Sequence, residues 1–191
     1  MIDEDVEQIL KIRNLNELKR FNIRVVFHPQ NVSSHSLFTA VFVNYLSNQI
    51  NERFDLGFDT KSLVIAAMSH DFEESELGDV LIPTKHNYSS IKSSYDELDE
   101  SVKKEIFSKL RINFYLAEPE KLLLKFCDRL EGYVYCLEEI ELGNKHFDFI
   151  ATNYLSELNS IADAYGDDKL YEFLMAVVEK IGFKVKTVRG V

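Results

Sequence analysis

Two short strings carry the chemistry of this chain: Asn31-Val32-Ser33-Ser34-His35-Ser36, and His70-Asp71 followed by Glu74 and Gly78-Asp79. With Asp128 far downstream, His35, His70 and Asp71 form a set of two imidazoles and two carboxylates that can hold one divalent cation. Glu74 and Asp79 are then left for proton transfer. Mixed N/O donors of this kind suit Mn, Co, Fe, Ni or Zn with water positions open, and such a cation lowers the pKa of water towards neutrality. The plainer alternatives are a solvated helix end at Asp71 and a hydrogen-bonded core histidine at His70. Against them stands the apolar run Leu63 to Met68, after which two polar residues need partners, because unpaired buried charge is costly.

The elements that must position these residues read as helices. Ser34 to Gln49 places Leu37, Val41 and Tyr45 one turn apart, with Ser33 or Ser34 as candidate N-cap. Thr60 to Asp71 is apolar nearly all round and reads as a central, buried helix. Continued past Asp71, it would place Glu74 on the same face. Ile91, Tyr95, Leu98, Val102, Ile106, Leu110 and Phe114 repeat at helical spacing, with charges opposite. Pro119 suits a first turn, and the next helix runs through Leu123, Phe126, Leu130, Val134 and Leu137 to a stop at Gly143-Asn144. Two amphipathic helices follow, near Phe147 to Tyr165 and Asp168 to Ile181, while Gly78 to Ser90 is one long irregular stretch. The expectation is an all-α fold, one domain over residues 1–191, with a metal site between helices.

Composition narrows the function classes. A chain of 191 residues, 46% hydrophobic and 28% charged, can bury a sizeable core and is not of the disordered type. A formal net charge of −10 argues against a general nucleic-acid surface and requires any anionic substrate to meet locally concentrated cations. Arg20, Lys85 and Lys125 are the candidates. Cys127 and Cys136 are too few for a cysteine-rich metal site, and with an acidic N-terminus and no membrane-spanning run the expectation is a cytoplasmic protein with reduced thiols.

The ordered motifs resemble the HD-domain phosphohydrolases, and within them the bacterial 5′-deoxynucleotidases. That family reads Arg-Trp, Asn-Val-Ser-Glu-His-Ser, His-Asp-x-x-Glu, Thr-Gly-Asp, Pro-x-Lys and a late Lys-x-x-Asp. Here the matching positions are Arg20-Phe21, Asn31 to Ser36, His70-Asp71 with Glu74, Gly78-Asp79, Pro83 with Lys85, and Lys125 with Asp128. The resemblance spans about Leu18 to Phe147, since Leu137-Glu138-Glu139 and Gly143-Asn144 also look like the family. It implies a helical domain, a homodimer or higher homo-oligomer, and one divalent cation on His35, His70, Asp71 and Asp128.

Roles follow from the resemblance and from the physics of phosphoryl transfer, in which a protein mostly positions groups and neutralises charge. Glu74 is the expected orienting or deprotonating group for water. Asp79 lies over the sugar, is tied to 2′-deoxyribose, and protonates the leaving oxygen. Arg20 offers a bidentate fork for phosphate, with Lys85 and Lys125 adding point charges. Phe21, where the family has Trp, can stack on a base, or can simply be a core phenylalanine. Ser34 replaces the Glu before the metal histidine and so removes one acceptor that could orient it. Phe72-Glu73 replaces small residues, Leu77 replaces Thr, and the loop after Asp79 also departs from the family.

The expected activity is removal of the 5′-phosphate from deoxynucleoside monophosphates. Phage dATP triphosphohydrolases resemble compact members of the same branch, so triphosphate release from deoxynucleoside triphosphates is the alternative. A cyclic-nucleotide phosphodiesterase is less favoured, a non-catalytic helical nucleotide-binding module ranks well below catalysis, and a purely structural helical protein lower still.

Overall fold

Few breakers and well-capped starts give this chain its helices. The computed structural model describes residues 2–78 and 89–188. Its helices are α1 (Ile2–Ile12), α2 (Val32–Phe54), α3 (Thr60–Ser69), the single turn α4 (Glu74–Leu77), α5 (Ser89–Leu110), α6 (Glu118–Glu141), α7 (Asp148–Asp163) and α8 (Asp168–Val188). Among the described residues the only β-type pairing is an isolated antiparallel bridge between Lys19 and Asn31. The all-α expectation holds, and among the described residues no helix is long and apolar enough to cross a membrane. α1 has no counterpart among the sequence-derived elements.

Two helix starts show why the boundaries fall where they do. α2 is capped by Asn31, not by Ser33 or Ser34: the Asn31 side chain accepts from the Ser34 amide at 2.8 Å. Extended backbone at Asn31 lets its side-chain Oδ1 accept from the third helical N–H, and its backbone carbonyl accepts from the His35 amide in the first turn of α2. α6 opens at Glu118-Pro119, where proline's missing N–H costs nothing. The Glu120 carboxylate accepts from the Ala117 and Asp59 amides, both at 2.8 Å, so the starts of α3 and α6 share one anchor.

The core lies where α2, α3, α7 and α8 pack around α6. Leu123, Phe126, Cys127 and Leu130 of α6 are fully buried against Val43, Leu46 and Ile50 of α2, Leu63 and Ala67 of α3, and Leu158 and Leu174. α2 buries a different stripe from the one its large side chains suggest. Ser36, Thr39, Ala40, Val43, Leu46, Ser47 and Ile50 face inward, while Leu37, Val41 and Tyr45 are more than half exposed. The small inward residues among them let α3 and α6 approach α2 closely. α3 likewise buries Leu63, Ala66 and Ala67 but exposes Met68, so it is not buried all round. α5 lies on α1 and contributes Ile106 to the interior; Leu98 is exposed, and Phe114 lies beyond the helix end, edge-on to Phe107.

A smaller aromatic cluster fills the far end of α6, where Tyr135 and Cys136 meet Phe147, Ala151 and Tyr154. Gly132 makes this possible: a Cβ there would stand 2.7 Å from the Tyr154 ring. Gly132→Ala is therefore expected to destabilise the fold by about 1–3 kcal/mol through overpacking, read as a lowered Tm. An unchanged Tm would mean that α7 moves freely from α6. Cys127 and Cys136 are buried and unbonded, and burial pushes both thiols up, to about 12 for Cys136, so neither is a reactive thiolate.

Candidate metal centre and substrate site

Three helix-linked segments converge on one point. His35 comes from the start of α2, His70 and Asp71 from the turn that ends α3, and Asp128 from the middle of α6. His35 Nε2 lies 3.0 Å from Asp128 Oδ1, 3.3 Å from His70 Nε2 and 3.8 Å from Asp71 Oδ2. His70 Nε2 lies 3.2 Å from Asp71 Oδ2 and 4.0 Å from Asp128 Oδ1. His35, His70 and Asp71 satisfy the spacing of a common ligand sphere. Donor atoms from positions 35, 70, 71 and 128 thus meet within a few ångströms.

The outer faces of both imidazoles decide what the inner faces can do. His70 Nδ1 is 2.7 Å from the Ala67 carbonyl, which can only accept, so Nδ1 carries the proton and Nε2 offers a lone pair. His35 Nδ1 lies against both the Glu131 carboxylate and the Arg20 guanidinium. The two Nε2 atoms stand 3.3 Å apart with the Asp71 and Asp128 carboxylates beside them, a mixed nitrogen and oxygen donor set. The donor set therefore fits a divalent cation. The same surroundings shift the acid–base balance. Burial works against charge at His35, as does Arg20, but hydrogen bonds to Asp128 and Glu131 outweigh both and raise its pKa. Burial likewise opposes ionisation of Asp128, yet the hydrogen bond and charge of His35, with His70 and Arg129, hold its carboxyl below the usual range.

Glu131 is the residue that sequence reading missed. It is almost fully buried, one turn beyond Asp128 on α6. Its Oε2 accepts from Arg20 Nη1 at 2.9 Å and its Oε1 accepts from Gln30 Nε2 at 2.6 Å, while it also faces His35 Nδ1. It supplies the acceptor that Ser34 cannot. The available signal was the i, i+3 spacing Asp128–Glu131 inside an apolar helix.

The remaining expected residues fall out unevenly. Arg20 is largely buried and touches His35 Nδ1 as well as Glu131, so its guanidinium sits beside the cluster. Burial opposes its charge, but Tyr154, Glu131, Asp128 and Asp71 raise its pKa. Phe21 stacks on Tyr135 at 5.2 Å and meets Phe147 edge-on at 5.3 Å, which places its ring in the aromatic cluster. Glu74 does not share a continuous helix face with Asp71. α3 ends at Ser69, and the Glu74 amide donates to the Asp71 carbonyl at 3.1 Å in a tight turn before α4. The turn still keeps the two within three residues.

Lys125 is exposed, and the basic group on Asp128 is Arg129 instead, with Nη1 3.2 Å from Oδ2. Glu73 pairs with Lys103 of α5. Burial pushes it up to about 7, against the pull of Lys103 at 3.1 Å. His28 and His146 are exposed. Asp79, Pro83, Lys85 and His86 lie outside the described residues.

Comparison with known proteins places the chain in a family. The 5′-deoxynucleotidase YfbR-like family model matches residues 8–179. This chain belongs to the YfbR-like 5′-deoxynucleotidase family. It is 32% identical over 149 residues to a 5′-deoxynucleotidase of Enterobacter sp. strain 638, covering 72% of each chain. It is 33% identical over 149 residues to a 5′-deoxynucleotidase of Yersinia pestis strain Pestoides F, covering 72% of this chain and 73% of that one. Among solved structures it is similar in fold to the cyanophage S-2L HD phosphohydrolase DatZ, bound to dA and one catalytic Zn2+ ion. The TM-score is 0.72 at 16% identity, over 92% of this chain and 96% of that chain. An HD-domain phosphohydrolase from Listeria innocua gives a TM-score of 0.61 at 14% identity, over 95% and 97% of the two chains.

Proposed function

We propose that this protein is a divalent-metal-dependent phosphohydrolase that removes the 5′-phosphate of deoxynucleoside monophosphates, working as one HD-type domain over residues 1–191. The observation that carries the reading is the four-residue cluster of histidine and aspartate side chains with Arg20 beside it, in a chain of the YfbR-like family. His35, His70, Asp71 and Asp128 would hold the cation, which supplies Lewis-acid polarisation and an activated water. Glu131 fixes the ring orientation of His35. Arg20 places a permanent positive charge against the incoming phosphate, shielded from water by its own burial. Glu74 orients the attacking water and accepts its proton. Asp79, one residue past Gly78, delivers a proton to the departing 5′-oxygen and crowds a 2′-hydroxyl. Phe21 bounds the base side of the site, with Lys85 and Lys125 contributing charge at its edge.

The test is incubation of the metal-loaded protein with matched deoxy and ribo mono- and triphosphates, with identification of the phosphorus species released. Orthophosphate from deoxymonophosphates alone is the expected result. Tripolyphosphate from a deoxytriphosphate would reassign the chain to triphosphate hydrolysis at the same residues. Silence on every nucleotide, with metal demonstrably bound, would overturn catalysis and leave a helical nucleotide-binding module.

Metal binding should also register in stability. A ligand at about 1,000 times its Kd stabilises the folded state by about 4 kcal/mol. Loading with Zn, Mn or Co is thus expected to raise Tm by roughly 8–16 °C for a domain of this size, and a chelator to reverse it. A Tm indifferent to all divalent cations would count against the site.

A further inference from the structure

α6 carries a second ionisable group that the proposed reaction does not use. Glu139 is completely buried, and eleven residues of helix separate it from Asp128, a rise of roughly 16 Å. Its Oε1 accepts from the backbone amides of Phe27 at 3.1 Å and His28 at 2.7 Å. Its Oε2 accepts from Phe27 at 2.8 Å and from Asn144 Nδ2 at 2.7 Å. Asn144 also donates to the Val25 carbonyl at 2.9 Å, and the Tyr135 hydroxyl donates to the His28 carbonyl at 3.0 Å.

All these bonds hold the one segment that carries Arg20 and Phe21. Its two ends are joined by the Lys19–Asn31 bridge and by the Arg20 amide donating to Gln30 at 3.0 Å. Along α6, Glu131, Tyr135 and Glu139 recur every four residues and so share one face. Glu131 holds Arg20 and Gln30, Tyr135 holds Phe21 and His28, and Glu139 holds Phe27 and His28. The segment needs holding. Phe21 has φ of 55°, a left-handed conformation that a bulky residue keeps only where its surroundings over-determine it. The outer turn of the segment is apolar yet largely exposed: Ile23, Val25 and Phe27 are each more than half accessible, and Val26 packs only partly buried against the aromatic cluster, so burial alone fixes the turn weakly.

We propose that Glu139 is a positioning residue: by clamping residues 25–28 to the end of α6, it sets Arg20 against the metal cluster without touching substrate. The proposal rests on the phosphohydrolase reading for Arg20's role, but the clamp itself does not.

Glu139→Ala leaves two backbone amides without their buried acceptor. Glu139→Gln keeps one acceptor oxygen and can satisfy the amides only if the Asn144 amide turns round and gives up Val25. In both variants, hydrogen exchange in a peptide covering residues 22–30 is expected to speed up while α2 and the Asp128 region of α6 keep their protection. KM for the deoxymonophosphate should rise about tenfold in Glu139→Ala and less in Glu139→Gln, with metal affinity unchanged. In an Arg20→Ala background the Glu139 change should add little to KM, because the positioned group is already gone. Unchanged exchange over residues 22–30 would overturn the clamp, and full additivity with Arg20→Ala would overturn the positioning role. A wild-type protein silent on every nucleotide would overturn the functional reading and Arg20's part in it, while the exchange comparison would still decide the clamp.

Discussion

His70→Ala is expected to abolish cation binding and to lower kcat/KM by roughly 10³-fold or more, with the helical fold intact. His70 offers Nε2 to the cluster and ties Nδ1 to the Ala67 carbonyl at the end of α3, so its removal deletes one donor and opens a carbonyl that water can reach. The side chain is only partly buried, and the core of α2, α3 and α6 lies beneath it, which keeps the structural cost near that of one hydrogen bond, about 1 kcal/mol. Losing the cation forfeits several kcal/mol of transition-state charge stabilisation, and each 1.36 kcal/mol is about tenfold in rate. Metal content of the purified variant, circular dichroism and initial rates check the three parts. Retained metal with lost activity would give His70 a different role. Retained activity would remove the cluster from the mechanism.

Glu131→Ala carries the second large effect, and it separates into two readouts. Glu131 is the shared acceptor for Arg20, Gln30 and His35, all in a largely dry environment. Breaking a buried pair by removing one partner typically costs about 3–5 kcal/mol, because the remaining charge stays buried and unpaired. A substantial fall in Tm is therefore expected. Loss of the carboxylate that orients a ligand histidine typically costs about 10–100-fold in metal affinity, so cation affinity should fall by that amount. Glu131→Gln keeps the shape and an acceptor for His35 but loses the charge facing Arg20. It is expected to recover only part of the stability, because Arg20 stays without its counter-charge, and part of the affinity. The two variants are compared by thermal melts and by competitive cation titration. Wild-type cation affinity in Glu131→Ala would show that His35 needs no orienting partner.

Much of this architecture could be read from the chain. Helices α2, α3, α5, α6, α7 and α8 announce themselves by period, proline and glycine placement, because local hydrogen bonding and capping depend on neighbours in sequence. The site was legible for a different reason: His35, His70, Asp71 and Asp128 are polar residues interrupting apolar helices, and their order matches a family pattern. Periodicity was less reliable about which face is buried. On α2 the large residues Leu37, Val41 and Tyr45 face out, while the inward face mixes Val43, Leu46 and Ile50 with the small Ser36, Thr39, Ala40 and Ser47.

Tertiary structure alone decided the rest, in each case because the partners are distant in sequence. Glu131 reads as one more charge on a helix until Arg20 and Gln30, about a hundred residues away, are seen to donate to it. Glu139 reads as part of a Leu-Glu-Glu string until the amides of Phe27 and His28 arrive. Arg129 displaces Lys125 as the basic group on Asp128 because helix rotation and burial, invisible in a four-residue window, choose between them. Phe21 belongs to the aromatic cluster because Tyr135 and Phe147 meet it there. Residue types and spacing determined which chemistry this protein can hold; the fold of α6 against the 20–31 segment decided which side chains orient it.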